Sequence, residues 1–295
     1  MHVLVTGAKG QLGRALRRQL EEGLAPRGWE GALVDWADLD ELDVSCSEAV
    51  DAWFAAHGPY DVVFNCAAMT NVDGCETNFD LAFAANALAP LYLARACAAC
   101  GATLVHVSTD YVFPGTDPRP RSEDDVPRPI SAYGRSKLAG EGLARSANPK
   151  THVVRTAWLY GEGRNFVATM LRLAQNHDQV TVVNDQLGNP TCADDLAHEL
   201  LRIAQTTSYG IWHCTNEGTC SWADLAEEAF RLAQVGCKVV RCTSEEWKQM
   251  TPGAASRPAY SSLENAHLSA TIGNGMRSWQ EALRDYLNRQ QEQRG

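Results

Sequence analysis

The chain has 295 residues, 45% of them hydrophobic, and a net charge of −10 from 26 basic and 36 acidic side chains. This composition is typical of a soluble globular protein, and the acidic balance argues against nucleic acid or a membrane surface as a partner. No segment shows the ~20 consecutive apolar residues of a membrane span, and the N-terminus has no signal-peptide layout. The ten cysteines are scattered, and their one C-x-x-C, Cys97 and Cys100, has no second pair at zinc-finger spacing, so we predict no metal site and a cytoplasmic protein.

The first predicted element is a short buried strand that leads through a glycine-rich turn into a helix. Val3–Val5 is apolar throughout, and leucines repeat every fourth position over residues 12–20. Such a turn allows a pyrophosphate to approach the backbone and the N-terminus of the helix. The spacing therefore predicts a dinucleotide-binding turn, with glycines at three-residue intervals: Gly7, Gly10 and Gly13.

An acidic residue ends the second predicted strand, Gly31–Asp35. A carboxylate at this position of a dinucleotide-binding unit suits the adenosine ribose hydroxyls. The same charge would repel a 2′-phosphate. We therefore expect Asp35 to favour NADH over NADPH.

Buried strands then alternate with helices, which indicates an α/β fold with a doubly wound parallel sheet. The strand at residues 61–68 ends in small residues that let a cofactor come close. The strand at residues 102–107 is followed by Ser108, Thr109 and Asp110, which we expect to face the cleft at the carboxyl edge of the sheet. A proline-rich stretch, Pro114–Pro129, is predicted to be a loop over the site.

A tyrosine and a lysine, Tyr133 and Lys137, lie one helical turn apart. A nearby ammonium lowers the pKa of a phenol, so the pair can serve as an acid or base. The spacing alone occurs on many solvated helix faces. Because a nicotinamide site and the hydroxyl of Thr109 are predicted upstream, the three side chains together predict a reduction site.

These motifs resemble the dTDP-4-dehydrorhamnose reductase family of the extended short-chain dehydrogenase/reductase superfamily. The resemblance covers residues 1 to about 265 and implies a Rossmann-like fold with a second, smaller mixed α/β substrate domain. In this reading the dinucleotide-binding domain comprises residues 1–164 and 192–217, and the substrate domain residues 165–191 and 218–295. The supporting motifs are G-Q-L-G at 10–13, L-D-V at 42–44, A-A-M-T at 67–70, S-T-D-Y-V-F at 108–113, R-T-A-W-L-Y-G at 155–161, D-Q-L-G-N-P-T at 185–191 and R-P-A-Y-S at 257–261.

The resemblance also implies roles for individual residues. In that family a Thr–Tyr–Lys set carries the reduction, and Thr109, Tyr133 and Lys137 match it. Trp158 matches a substrate contact, as do Thr109 and Asp110, and we add Arg257 as a partner for the nucleotide diphosphate. The expected cofactor contacts are Gly7, Gly10, Gln11, Leu12, Gly13, Asp35, Asp43, Val44, Ala67, Ala68, Met69, Thr70, Tyr133 and Lys137.

The implied activity is reduction of the C4 keto group of dTDP-4-dehydro-6-deoxy-L-mannose by NADH or NADPH, with Tyr133 as the proton donor. The expected partner is a dTDP-sugar, and the expected assembly, where the chain self-associates, is a homodimer. Two alternatives stay open. One is another nucleotide-sugar epimerase or dehydratase of the superfamily, and the other is a non-catalytic regulatory subunit of the methionine adenosyltransferase type.

Overall fold

A computed structural model describes residues 1–251 and 253–292, and its centre is a six-stranded parallel sheet. The order of its strands is β10-β5-β4-β3-β1-β2, with the reversal between β1 and β3 that defines a doubly wound sheet. The predicted fold class is therefore confirmed. The strands are β1 (His2–Thr6), β2 (Leu33–Ala37), β3 (Val62–Asn65), β4 (Thr103–Thr109), β5 (Thr151–Thr156) and β10 (Gly210–His213).

Helices cover both faces of this sheet. Alternate residues of a strand point to opposite faces, so Val3 and Val5 pack with the helices α1 and α8, whereas Leu4 packs with α2, α5 and α6. The helices are α1 (Gln11–Glu21), α2 (Ser47–His57), α3 (Val72–Thr77), α4 (Phe79–Phe83), α5 (Ala89–Cys100), α6 (Ala132–Ala147), α7 (Phe166–Ala174), α8 (Ala193–Ala204), α9 (Trp222–Leu232), α10 (Ser244–Met250), α11 (Ala266–Thr271) and α12 (Trp279–Glu292).

Three two-stranded sheets lie outside the central one and pair β6 with β9, β7 with β12 and β8 with β11. Helices α7, α9 and α12 pack against them around two further apolar clusters. The strands are β6 (Leu159–Tyr160), β7 (Gln179–Val183), β8 (Leu187–Gly188), β9 (Thr191–Cys192), β11 (Cys220–Ser221) and β12 (Lys238–Cys242).

Residues 79–100 form one helical stretch interrupted by a π-helical turn at Ala84–Leu88. Within this turn Asn86 is fully buried, and its amide bonds both the N–H and the C=O of Met69 and the hydroxyl of Ser136. The stretch is long and apolar enough to span a membrane, contrary to our expectation from the sequence. Half of its most apolar window is buried inside the protein, as in a core helix.

Candidate active site

A cleft of about 780 Å³ opens at the carboxyl edge of the sheet, where the glycine turn, the end of β4 and the start of α6 meet. The turn needs glycine at two positions. Gly7 has φ +68°, and a Cβ there would lie 2.7 Å from the backbone nitrogen of Ala67. A Cβ at Gly13 would lie 2.5 Å from the carbonyl oxygen of Gly7. The turn therefore holds α1 close to the strand, as a phosphate-binding turn requires.

Most of the residues expected at this site line the cleft. Gln11 is one of these lining residues, and its buried Oε1 has no hydrogen-bond partner among the described residues. A buried amide oxygen of this kind is costly unless a ligand satisfies it. The expected residues that line the cleft are Gly7, Gly10, Gln11, Leu12, Gly13, Ala68, Thr70, Thr109, Asp110, Tyr133, Lys137 and Trp158.

The prediction that Asp35 ends the second strand at the cleft is wrong. Strand β2 runs on to Ala37, so Asp35 lies in mid-strand beside Leu4 of β1. Its carboxylate accepts hydrogen bonds from the hydroxyl of Tyr60 at 2.6 Å and from the ring of His2 at 3.1 Å. The acid at the end of the strand is Asp38, whose Oδ2 accepts the N–H of Lys9 in the glycine turn at 2.7 Å.

Four other expected cofactor contacts do not line the cleft. Asp43 caps its own loop by accepting hydrogen bonds from the N–H and hydroxyl of Ser45, and Val44 packs in the apolar core beneath the sheet. Gly7 packs against the backbone of Ala67. The N–H and C=O of Met69 are both bonded to Asn86. Of these four residues, only Ala67 and Met69 are next in sequence to residues that line the cleft.

Thr109, Tyr133 and Lys137 meet as predicted. Thr109 is the last residue of β4, and Tyr133 and Lys137 lie in the first two turns of α6, whose N-cap Ser131 accepts the N–H of Gly134 at 3.1 Å. The hydroxyl of Tyr133 is hydrogen-bonded to that of Thr109. Gly134 is required here, because a Cβ would lie 2.2 Å from the carbonyl oxygen of Tyr111. The arrangement places a phenol and a second hydroxyl side by side in the cleft.

The electrostatics of this set differ from the expectation. Burial raises the pKa of Tyr133, and the neighbouring hydroxyl of Thr109 opposes that rise. Lys137 does not lower it, because its Nζ donates to the carbonyl oxygen of Val107 at 2.6 Å, and burial lowers the pKa of this lysine to about 8. The phenol therefore stays protonated at neutral pH, which is the state a proton donor needs.

Asp110 lies beside this set and is almost fully buried. Its Oδ1 accepts the hydroxyl of Thr109 at 2.9 Å. Burial raises the pKa of Asp110 to about 6, against the hydrogen bonds that favour its charged form. This carboxylate holds the hydroxyl of Thr109 in a fixed direction at the mouth of the cleft.

Two tryptophans form the opposite wall. The indole rings of Trp158 and Trp222 are stacked, with centroids 3.6 Å apart and planes inclined by 7°. Trp158 was expected from the sequence, whereas Trp222 was not, because a tryptophan at the start of a helix carries no functional signal by itself. Other lining residues that the sequence did not indicate include Lys9, Arg14, Cys66, Thr156, Glu162 and Arg164.

Arg257 lies near the cleft but does not line it. Its Nη2 is 3.1 Å from Oδ2 of Asp73 in α3, and the same carboxylate accepts the N–H of Ala255. The segment before Pro258 is thus bonded to α3, the helix that begins at the lining residue Val72. The proline-rich loop runs beside this segment, with Arg121 bridged to Leu263, and not across the cleft.

Within residues 1–251 and 253–292, no group of three or more His, Cys, Asp or Glu side chains could hold a metal ion. The parallel sheet, the glycine turn and the cleft at the carboxyl edge define a Rossmann-like α/β protein. The family model described as the RmlD substrate binding domain matches residues 1–292. The chain belongs to this family.

Named relatives agree with the match over nearly the whole chain. A dTDP-4-dehydrorhamnose reductase of Streptomyces griseus is 43% identical, covering 95% of this chain and 91% of the relative. The crystal structure of a dTDP-4-dehydrorhamnose reductase from Clostridium acetobutylicum is 45% identical, with a TM-score of 0.92 and coverage of 99% and 100%. That of the Bacillus anthracis reductase in complex with NADP is 37% identical, with a TM-score of 0.89 and coverage of 98% and 99%.

Proposed function

We propose that the protein reduces the C4 keto group of dTDP-4-dehydrorhamnose to give dTDP-L-rhamnose, with NADH or NADPH as the reductant. The observation that carries this proposal is the convergence of Thr109, Tyr133 and Lys137 beside the glycine turn. Their cleft fits a dinucleotide, because it leaves buried Gln11 Oε1 and Thr156 Oγ1 without partners among the described residues. A bound NAD(P)H supplies the hydride.

The side chains of this cleft supply the proton and the orientation. Tyr133, protonated at neutral pH, donates its phenolic proton to the oxygen that becomes an alkoxide at C4. When the substrate binds, the hydroxyl of Thr109 turns from Asp110 to donate to the same oxygen, which positions the carbonyl and stabilises the developing charge. Lys137 is held against the carbonyl of Val107, with its ammonium available to the ribose of the bound cofactor.

The direct test is an assay of the purified protein with dTDP-4-dehydrorhamnose and either reduced cofactor, following nicotinamide absorbance and dTDP-L-rhamnose formation. We expect one cofactor oxidised for each sugar reduced. An epimerase or dehydratase would convert a dTDP-sugar without consuming reductant. A regulatory subunit would bind the nucleotides, turn nothing over and co-purify with a synthetase, and either result would contradict the proposal.

We further propose that NADH is preferred, and that Asp38 rather than Asp35 sets the preference. Three carboxylates lie around Lys9 at the glycine turn, those of Asp38, Asp40 and Glu41. The Nζ of Lys9 is 2.8 Å from Asp40 and 3.0 Å from Glu41. The single ammonium is outnumbered, so the local charge opposes a 2′-phosphate. The structure of the Bacillus anthracis relative contains NADP, so the preference of this protein has to be measured with both cofactors.

Replacing Asp38 by Asn should raise the ratio of kcat/KM for NADPH to that for NADH by about five- to tenfold. Two like charges ~4 Å apart in water repel by about 1 kcal/mol, which is roughly fivefold in affinity. An amide oxygen still accepts the N–H of Lys9, so the turn is retained. Asp35→Asn is the matched control and should leave the ratio unchanged. A change in this ratio with Asp35→Asn and not with Asp38→Asn would show that Asp35 sets the cofactor preference.

We propose that Arg257 binds the diphosphate of the substrate by exchanging its partner Asp73 for the ligand. Replacing Arg257 by Met keeps the apolar stem and removes the charge, so KM for the dTDP-sugar should rise about tenfold while kcat changes little, since a charged hydrogen bond contributes ~1.5–3 kcal/mol. Arg241→Met removes an arginine paired with Asp224 and Glu227 outside the cleft. An equal rise in that control would refute the role of Arg257.

The two-domain division, a cytoplasmic location and a homodimeric assembly stay proposals. The sheets that pair β7 with β12 and β8 with β11, together with α7, α9 and α12, support a substrate domain within residues 165–191 and 218–295. Size-exclusion chromatography with light scattering tests the assembly directly.

A further inference from the structure

Trp158 adopts a backbone conformation that is unusual for a bulky residue. Its φ is +47°, in the left-handed region. A non-glycine residue stays there only where its surroundings hold it, and such strain clusters at ligand-binding sites. The contacts that hold Trp158 in this conformation therefore help to shape the cleft.

Those contacts come from one two-stranded sheet. Gly188 of β8 lies so close to the indole of Trp158 that a Cβ there would be 2.6 Å from the ring. Gly188 pairs with Cys220 of β11, two residues before Trp222. The same sheet thus sets Gly188 against the indole and stacks Trp222 on it.

Trp222 is itself fixed. Ser221 caps α9 in a capping box with Asp224, which makes Trp222 the first residue of the helix. The ring of Phe166 packs against Trp222 at 4.6 Å. Trp222 is therefore a rigid support, and it also lines the cleft.

We propose that Trp222 is a positioning residue that holds Trp158 in its left-handed conformation, so that the stacked pair forms an apolar wall for the ring of a nucleotide sugar. This inference rests on the proposed function. The wall contributes to sugar binding and not to proton or hydride transfer, because neither indole contacts Thr109, Tyr133 or Lys137 through a hydrogen bond in the described structure.

The test compares Trp222→Leu and Trp222→Phe with the wild type. In Trp222→Leu we expect KM for dTDP-4-dehydrorhamnose and Kd for dTDP-L-rhamnose to rise about tenfold, with kcat and KM for the reduced cofactor within twofold. Trp222→Phe retains a flat ring and should recover most of the affinity. The exciton-coupled circular dichroism of the stacked indoles should disappear in both variants.

Trp53→Phe is the matched control, because Trp53 stacks on His57 in α2, away from the cleft. It should alter neither the affinity nor the exciton signal. Thermal unfolding of every variant checks that the fold is retained. Should Trp222→Leu fail to fold, the smaller change Trp222→Phe is compared with Trp222→His, and a polar ring should bind the sugar more weakly.

In Trp222→Leu, loss of the exciton signal without a change in sugar affinity would overturn the inference, as would a fall in kcat with sugar affinity unchanged. The proposed function can fail separately. A wild type that binds dTDP-L-rhamnose in a calorimeter but turns nothing over refutes the reductase while the Kd of Trp222→Leu still decides the role of Trp222. A wild type that does not bind this nucleotide sugar refutes both.

Discussion

Replacing Tyr133 by Phe should lower kcat by about 10²- to 10⁴-fold, the range that one positioned acid or base contributes. The ring is retained and only the hydroxyl is lost, so the packing of α6 against Met69 and Cys75 should persist. Kd for NADH, measured by fluorescence titration, should change by less than threefold. Steady-state kinetics with saturating dTDP-4-dehydrorhamnose gives the turnover.

Tyr111→Phe is the matched control for this prediction. Tyr111 lines the same cleft, and its ring lies 5.7 Å from that of Tyr133 in an edge-to-face arrangement. It is half-buried, and its pKa is raised in the same way, mainly by desolvation. We expect a loss of no more than a few-fold. Near-wild-type turnover in Tyr133→Phe, or an equal loss in both variants, would remove Tyr133 from the role of proton donor.

Replacing Glu141 by Ala should lower the free energy of unfolding by about 3–5 kcal/mol, the usual cost of leaving a buried charge without its partner. Glu141 binds Arg155 through two hydrogen bonds of 2.9 and 2.7 Å and accepts the hydroxyl of Ser108 at 2.6 Å. The side chain of Glu141 is only 4% exposed and that of Arg155 only 1%. Urea unfolding followed by circular dichroism measures the change.

Two further variants make this prediction specific. Glu21→Ala removes an exposed i,i+4 partner of Arg17 and should cost no more than ~1 kcal/mol. The double variant Glu141→Leu with Arg155→Met replaces the ion pair by apolar side chains and should recover much of the loss. Equal destabilisation by Glu141→Ala and Glu21→Ala would show that burial does not set the energetics of the pair.

The features predicted correctly from the sequence are local ones. The glycine turn needs particular residues at particular spacings, and Tyr133 and Lys137 share a helix face by geometry alone. Ser221 is a serine directly before a helix, and it caps α9 through a capping box with Asp224. Each of these depends on residues within one or two turns of each other.

The features that were missed depend on tertiary packing. The end of β2 is set by its pairing with β1 through Ala37, which moves the acidic strand end from Asp35 to Asp38. Lys137 was expected to act on Tyr133, but the carbonyl of Val107 lies within its reach. Trp222 reaches the cleft through a strand pair that joins residues 188 and 220. No periodicity or spacing in the chain encodes these contacts.

The amide of Asn86 has a consequence for how the cleft can move. One buried side chain bonds both the loop at Met69 and helix α6 at Ser136. A displacement of either would break hydrogen bonds that no solvent can replace in that position. The loop at Met69 and helix α6, which carries Tyr133, are therefore mechanically coupled, and slow amide hydrogen exchange at Met69 should report directly on the stability of α6.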